Sequence, residues 1–192
     1  MWFAWDTAAF RAIHLGLHHP ALDPVMYFLT SPGALKIPLL AAVGIAFLAR
    51  RSRGIVGLLV LAATLAVSDQ TSAKVLKPIF KRARPSVVLA DSKPLFGVRR
   101  SYSFPSVHAA NFFAAAPIVG AVFPPFRVVA FVVAGAVSFS RVYVGDHWPS
   151  DVVGGAALGL FLGWLGRRAL LRLERTLSAA RGLGGAGPSG GP

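Results

Sequence analysis

Five long apolar runs restrict the fold of this chain more than any other feature of its sequence. They cover residues 34–49, 54–76, 106–123, 126–144 and 149–171. A bilayer core of about 30 Å is crossed by about 20 apolar residues in a helix, a length that the last four runs meet or approach. Only 14% of the residues are charged, whereas an average soluble domain carries about 25%. The pattern therefore predicts an all-α, polytopic membrane helical bundle with about five spanning helices.

The two ends of the chain differ from this middle part. In residues 1–33, aromatic and aliphatic side chains recur at near-helical spacing with polar residues between them. This pattern predicts an amphipathic helical segment lying in the membrane interface. Residues 34–175 form the predicted membrane domain. The Gly-rich end, 176–192, is predicted to be a disordered tail.

The charge of the chain indicates an anionic partner. The net charge is +13, from 20 Lys and Arg against 7 Asp and Glu. Because the basic residues interrupt apolar runs and do not cover a polar face, nucleic acid fits poorly as a partner, and a membrane protein that handles something anionic fits better. The chain has no cysteine, which excludes a disulfide framework, a thiolate zinc site and a cysteine nucleophile.

Three polar clusters are expected to meet at one membrane face. They lie at residues 77–85, 103–108 and 140–151, where apolar runs end or begin. Consecutive spanning helices alternate in direction, and this alternation places all three clusters on the same side. Each cluster alone has a plain structural explanation, since basic residues anchor membrane helices and Pro-Ser pairs cap helix starts. Together they predict a site for an anion.

The chemistry offered by these clusters suits a phosphate group. Lys77, Arg84 and Arg141 supply three cations, and the two arginines carry planar forks of donors that match phosphate oxygens. Two helices begin on this face, and their unpaired N–H groups also favour an anion. Ser106 adds a hydroxyl near one of these helix starts.

Two histidines and a carboxylate accompany this cradle. Asp151 follows His147 by four residues, about one helical turn. Asp151 can therefore accept a hydrogen bond from one ring nitrogen and leave the other nitrogen as a nucleophile. His108 then remains to act as a general acid.

A resemblance to a known family rests on three motifs. They are Lys77-x6-Arg84-Pro85, Pro105-Ser106-x-His108 and Ser140-Arg141-x5-His147-x3-Asp151. In order, spacing and residue type they resemble the signature of the type 2 phosphatidic acid phosphatase (PAP2) superfamily. That superfamily includes lipid phosphate phosphatases, bacterial phosphatidylglycerophosphate and undecaprenyl diphosphate phosphatases, and soluble haloperoxidases. The resemblance implies a PAP2/haloperoxidase-like helical core.

The resemblance also implies a role for each motif residue. His147 would attack phosphorus and form a phosphohistidine, Asp151 would orient and activate it, and His108 would protonate the leaving oxygen. The phosphate oxygens would be held by Lys77, Arg84, Ser106, Arg141 and the backbone amide of Val107. No metal or other cofactor is implied. The sequence agrees, since only Asp146 and Asp151 lie near the motifs and a two-metal phosphatase needs more carboxylates.

Two features depart from the family pattern. Val107 stands where many members have a small residue such as glycine, and its β-branched side chain could crowd the phosphate. Bacterial relatives usually have six spanning helices, whereas five apolar runs are present here. The amphipathic N-terminal segment takes the place of a first helix.

Several charged residues outside the motifs have more than one interpretation. The histidines at 14, 18 and 19 are spaced as metal ligands could be, but an interfacial helix with titratable residues is favoured. The basic residues Lys81, Arg82, Arg99 and Arg100 either attract anionic headgroups or form a solvated loop face.

Two acidic residues also lie outside the motifs. Asp69 is expected to face the bundle interior with Lys74 or Arg141 as its partner. Asp146 is predicted to be a solvated loop carboxylate.

These observations predict a multi-pass phosphatase of the cell membrane that hydrolyses a lipid phosphate or an isoprenyl (undecaprenyl) diphosphate. Phosphatidylglycerophosphate and phosphatidic acid are alternative substrates. A haloperoxidase-like oxidase, or a non-catalytic lipid-phosphate binder or transporter, is the alternative from another class. With the phosphate-binding cations discounted, the positive-inside rule places the active site on the extracytoplasmic face.

Overall fold

The structure is a computed structural model that describes residues 3–31 and 37–184, and its regular elements within these ranges are helices. In chain order they are α1 (Ala4–His14), α2 (Asp23–Thr30), α3 (Ile37–Leu48), α4 (Arg51–Gln70), α5 (Lys77–Phe80), α6 (Pro85–Val88), α7 (Val107–Val122), α8 (Arg127–Tyr143) and α9 (Pro149–Gly184). A π-helical turn at Thr71–Leu76 joins α4 to α5, and a 3-10 turn at Pro124–Phe126 precedes α8. The predicted all-α fold class is confirmed.

Two stretches of the described chain are long and apolar enough to cross a membrane. They are Ser52–Val88 and Pro124–Tyr143, and Val107–Val122 is a shorter apolar helix. The helices follow the predicted runs closely because apolar side chains must be contiguous along a helix in lipid. The number of five spanning helices stays a prediction.

The contact between α7 and α9 brings two helix backbones unusually close. Gly155, Gly159 and Gly163 recur every four residues along α9 and face α7. A Cβ atom at Gly159 would lie only 2.2 Å from the carbonyl oxygen of Ala110, so a side chain there would force the helices apart. Small residues at helix contacts are typical of membrane bundles.

The largest apolar cluster lies at the end of the bundle away from the polar motifs. It consists of Phe47, Leu61, Ile118, Val122 and Leu170, each at most 4% exposed. Because lipid tails are as apolar as these side chains, the cluster stabilises the bundle through close packing and not through exclusion of water.

The N-terminal helix α1 turns part of its polar side toward the protein. An interfacial helix would expose its polar residues to water, yet Asp6 is 1% exposed and His14 is 3% exposed. Together with Phe10 they form the buried face of α1, which packs on α8 and α9. The helix expected from the amphipathic pattern is present, and two of its polar residues, Asp6 and His14, face the protein. Its place in the membrane interface stays a prediction.

The last helix extends further than the sequence predicts. Helix α9 runs to Gly184, so residues 176–184 of the predicted disordered tail are helical. Outside the packed part of α9, Glu174 accepts a hydrogen bond from Arg53 at 2.9 Å and ties α9 to α4. The remaining residues of the predicted tail, 185–192, lie outside the described residues.

Candidate active site

Backbone hydrogen bonds join the three motifs at one end of the bundle. Ser106 N donates to the carbonyl oxygen of Asp151 at 3.0 Å, which fixes the start of α7 beside the start of α9. Ser103 N donates to the carbonyl oxygen of Arg82 at 2.8 Å and holds the first motif against the second. The expected meeting of the three clusters on one face is therefore present in the fold.

His147 lies in the turn between α8 and α9 and is 2% exposed. Its Nδ1 atom is 3.5 Å from Asp151 Oδ2, and its Nε2 atom is 3.4 Å from Arg84 Nη1. A guanidinium group has only donors, so this second contact is favourable when Nε2 carries the lone pair. The ring proton then stands on Nδ1, the nitrogen on the side of Asp151, although Nδ1 makes no hydrogen bond within the described residues.

The surroundings of His147 also keep its ring neutral. Burial lowers the pKa of His147 well below its ordinary value, and the cations of Arg84, Arg141 and Lys77 lower this pKa further. The nearby carboxylate of Asp146 acts in the opposite direction but is outweighed. A neutral imidazole held beside several cations is able to act as a nucleophile.

The two motif arginines are almost fully buried and are held by several acceptors. Arg84 is 4% exposed and donates to the carbonyl oxygen of Asp146 at 2.7 Å and to that of Ser101 at 2.9 Å. Arg141 is 2% exposed and donates to Thr30 Oγ1 and to Asp146 Oδ2. These contacts fix the planes of both guanidinium groups before any ligand arrives.

The remaining residues of the predicted cradle lie on two separate elements. Lys77 stands at the start of α5, and its Nζ donates to the carbonyl oxygen of Tyr102 at 2.8 Å. Ser106 precedes α7 and is fully buried, and its Oγ has no hydrogen-bond partner in the described part of the chain. Val107 and His108 are the first two residues of α7 and are half-buried. An unpaired buried hydroxyl at a helix start is well suited to bind an anion.

Asp146 is not the solvated loop carboxylate that the sequence predicted. It is fully buried and forms an ion pair with Arg141. Its carboxylate oxygens also lie 3.5 Å from Arg99 and 3.8 Å from Arg84. Asp146 is buried because three guanidinium groups from different elements converge on its carboxylate. Their positive charge compensates the free energy that burying the carboxylate costs.

Arg82 also differs from its predicted place on a solvated or headgroup-facing loop. Its side chain is 5% exposed and forms ion pairs with Asp6 of α1 and with Asp151. Ser150 joins the same group, accepting from Arg82 and donating to Asp6. Sequence reasoning missed this network because its first and last members are more than a hundred residues apart. By contrast, Lys81 and Arg100 are exposed as a loop face would be.

The other polar residues outside the motifs have structural partners. Asn111 Nδ2 donates to Asp69 Oδ1 at 3.3 Å, and this contact replaces the predicted partners of Asp69, Lys74 and Arg141. His14 contacts the carbonyl oxygen of Tyr143 at 2.7 Å through Nδ1 and accepts from the amide of Lys93 at 3.0 Å through Nε2. Burial lowers the pKa of His14, and both of its ring nitrogens are occupied.

Within residues 3–31 and 37–184, no group of three His, Asp or Glu residues is arranged to hold a metal ion. The N-terminal histidines therefore form no such cluster with one another. His18 instead contacts Asp23 at 3.0 Å, and the ring of His19 accepts from the amide of Ala21 at 3.1 Å.

Comparison with known proteins agrees with this arrangement. The family model of the PAP2 superfamily matches residues 54–175. This chain belongs to the PAP2 superfamily. The matched range contains all three motifs and omits α1, α2 and α3.

Individual relatives within the superfamily are lipid phosphatases. The lipid A 4'-phosphatase of Bacteroides thetaiotaomicron is 33% identical over 160 residues, which cover 78% of this chain and 70% of that protein. Phosphatidylglycerophosphatase B of Bacillus subtilis is 34% identical over 175 residues, which cover 83% of this chain and 80% of that protein. The predicted enzyme class is confirmed: the chain is a membrane phosphatase of this superfamily.

The fold agrees with a solved relative as well. The crystal structure of Aquifex aeolicus LpxE superposes with a TM-score of 0.71 at 25% identity. The superposition covers 87% of this chain and 97% of the other. The superposition therefore extends beyond residues 54–175, the range that the family model matches.

Proposed function

We propose that this phosphatase releases phosphate from a lipid phosphate or an isoprenyl (undecaprenyl) diphosphate through a phosphohistidine intermediate, without a metal ion. The observation that carries the proposal is the placement of His147 between Asp151 and Arg84. Its proton-bearing nitrogen faces the carboxylate, and its lone pair faces the buried cations. A phosphate held by those cations would lie where the lone pair points.

In the proposed complex, the phosphate oxygens bind to Lys77, Arg84 and Arg141. The unpaired Oγ of Ser106 and the amide of Val107 at the start of α7 complete the cradle. Because the arginines are already oriented by protein acceptors, little reorganisation is needed when charge develops on the equatorial oxygens. Such preorganised donors are the main source of catalysis in phosphoryl transfer.

The reaction then proceeds in two displacements. The Nε2 lone pair of His147 attacks phosphorus, the bond from phosphorus to the leaving oxygen breaks, and His108 gives its proton to that oxygen. Asp151 stabilises the positive charge that the phosphohistidine carries at Nδ1–H. In the second step His108 takes a proton from water, the resulting oxygen attacks phosphorus, and inorganic phosphate leaves with His147 restored.

The substrate class follows from the relatives and from the membrane setting. The named activities of the relatives concern lipid A and phosphatidylglycerophosphate, and both substrates are lipids that carry a phosphate. Comparing phosphate release from undecaprenyl diphosphate, phosphatidylglycerophosphate and phosphatidic acid in detergent micelles identifies the preferred lipid. The proposed location of the site is the extracytoplasmic face of the cell membrane.

The proposal is tested by measuring phosphate release by the purified protein in detergent containing EDTA. We expect the wild type to keep its activity and His147→Ala to lose it, because the nucleophile is gone. Alkaline quenching of the wild-type reaction should trap a phosphohistidine. Equal rates for the two proteins, or an activity that EDTA abolishes, would reject the mechanism.

A further inference from the structure

A buried chain of charges continues from Asp151 away from the phosphate cradle. Arg82 Nη1 donates to Asp151 Oδ1 at 2.5 Å, and Arg82 Nη2 donates to Asp6 Oδ2. The side chains of Arg82, Asp6 and Asp151 are 5%, 1% and 0% exposed. The guanidinium of Arg82 also lies over the ring of Trp148 at 5.3 Å, which restrains its plane. Nothing in the proposed reaction uses Asp6 or Arg82.

The two oxygens of Asp151 are divided between different partners. Oδ1 accepts from Arg82, whereas Oδ2 accepts from the amide of Trp148 at 2.9 Å and faces His147 Nδ1. Arg82 holds Oδ1 and the Trp148 amide holds Oδ2, so the two contacts together fix the plane of the carboxylate. Arg82 therefore contributes to the angle at which Oδ2 is presented to His147.

Asp6 determines how the charge of Arg82 is distributed. A guanidinium group is always charged. If Arg82 were bound to Asp151 alone, its buried positive charge would neutralise the negative charge of that carboxylate. Here Asp6 binds the second nitrogen of Arg82 and also accepts from the amide of Ser150 at 2.9 Å. With two carboxylates on one guanidinium, Asp151 keeps negative charge available for His147.

We propose that Arg82 and Asp6 are positioning residues for the phosphatase reaction and act on His147 through Asp151. This inference rests on the proposed function, because it assumes that His147 is the nucleophile. It adds α1 to the working site, although Asp6 lies outside the region matched by the family model. The phosphohistidine carries a positive charge that Asp151 must face, so Asp6 and Arg82 chiefly affect the step in which this charge forms.

The test measures phosphoenzyme formation in a single turnover with radiolabelled phosphatidic acid in detergent micelles. We expect Asp6→Asn and Arg82→Lys to slow this step by about tenfold or more. Asparagine keeps the shape of Asp6 without its charge, and lysine keeps the charge of Arg82 but lacks the planar fork whose separate nitrogens bind the two carboxylates. The inhibition constant of inorganic phosphate should keep its wild-type value, because the cradle residues are untouched.

Asp91→Asn is the matched control. Asp91 pairs with Arg11 of α1 at 2.9 Å, both side chains are largely exposed, and the pair does not touch Asp151. The variant should react as the wild type does. If Arg82→Lys fails to fold, Asp6→Asn decides the question, since the smaller change leaves the shape of the network intact.

Two results would overturn the inference. One is wild-type phosphoenzyme formation in folded Asp6→Asn and Arg82→Lys. The other is a loss of rate accompanied by an equal weakening of phosphate inhibition, which would assign both residues a structural role. Failure of the proposed function is distinguishable, because the folded wild type would then form no phosphohistidine with phosphatidic acid, phosphatidylglycerophosphate or undecaprenyl diphosphate.

Discussion

In the proposed mechanism, His147 attacks phosphorus only while its imidazole is neutral. Burial and three neighbouring cations hold its pKa well below the ordinary value, so the ring stays unprotonated under mildly acidic conditions. The same effect couples pH to stability. The unfolded chain binds a proton at His147 before the folded protein does, and folding is therefore weakened as the pH falls below the unfolded pKa.

This lowered pKa makes a prediction for the pH profile of the free enzyme. An unperturbed histidine has a pKa of about 6.5. The acidic limb of the kcat/KM profile that belongs to His147 should therefore lie at a lower pH than this. A series of rate measurements from mildly alkaline to acidic pH checks this. An acidic limb of His147 at or above the ordinary histidine pKa would contradict the lowered pKa and the neutral imidazole of the proposed mechanism.

Val107 offers a second test at the level of a single residue. Its side chain stands at the start of α7, where the phosphate would bind the backbone amide. We expect Val107→Gly to raise kcat or leave it unchanged, because removing the side chain relieves crowding and leaves the amide in place. Glycine in the first helical turn should cost about 1 kcal/mol or less in unfolding free energy. A large loss of kcat would show instead that the valine is adapted to its substrate.

At the scale of elements, the close contact of α7 and α9 sets the spacing of the two helix starts. His108 stands at one start and Asp151 at the other, and the Ser106–Asp151 backbone bond links them. The glycines of α9 let the helices approach until the backbone of α7 at Ala110 and Ala114 lies against the backbone of α9. The distance between His108 and Asp151 therefore depends on how closely α7 and α9 pack deeper in the bundle.

Gly159→Ala tests this dependence. Its Cβ would overlap the carbonyl oxygen of Ala110, so we expect a loss of about 1–3 kcal/mol in unfolding free energy together with a lower kcat. Gly135→Ala in α8 is the matched control, because nothing lies within 4 Å of its added Cβ. Thermal unfolding and phosphate release in detergent measure both effects. Equal behaviour of the two variants would show that the close contact does not position the site.

At the scale of the whole molecule, large apolar side chains cover the outer surfaces of the helices. The most exposed include Ile37, Ile45, Leu59, Val128 and Val132, each at least 63% exposed. Such a surface is unfavourable in water and favourable against lipid tails. The three polar motifs are instead gathered at one end, where the phosphate headgroup of a lipid would meet the proposed site.

The proposed orientation is tested by labelling, and the absence of native cysteines makes the test clean. Val98, 61% exposed in the loop beside the site, is replaced by cysteine in one variant. Ser52, exposed at the opposite end of α4, is replaced in the other. In intact cells a membrane-impermeant maleimide should label Val98→Cys and spare Ser52→Cys. The reverse pattern would place the site on the cytoplasmic face.

Much of this architecture is predictable because its signals are local. A helix in lipid needs contiguous apolar residues, so the boundaries of α4, α7 and α8 follow the predicted runs within a few residues. The alternation of helix directions then suffices to gather three motifs on one face. The fold class and the meeting of the motif residues therefore require no knowledge of long-range contacts.

The unpredicted features depend on partners that are distant in sequence. Asp6 and Arg82 are 76 positions apart, and neither has a local pattern that marks it as buried. Asp146 looks like a loop carboxylate until three arginines from separate elements surround it. Similarly, Asp69 pairs with Asn111 across a helix contact, because the rotation of α4 against α7 is decided by packing.

The sharing of Asp146 among Arg84, Arg99 and Arg141 has a consequence for turnover. In the proposed site the carboxylate of Asp146 is already paired with these arginines, so an incoming phosphate would gain only the difference between its own attraction to the arginines and that of the carboxylate. Inorganic phosphate meets the same competition when it is released. Such an enzyme binds its substrate and its product less tightly, and the weaker binding of inorganic phosphate allows faster product release.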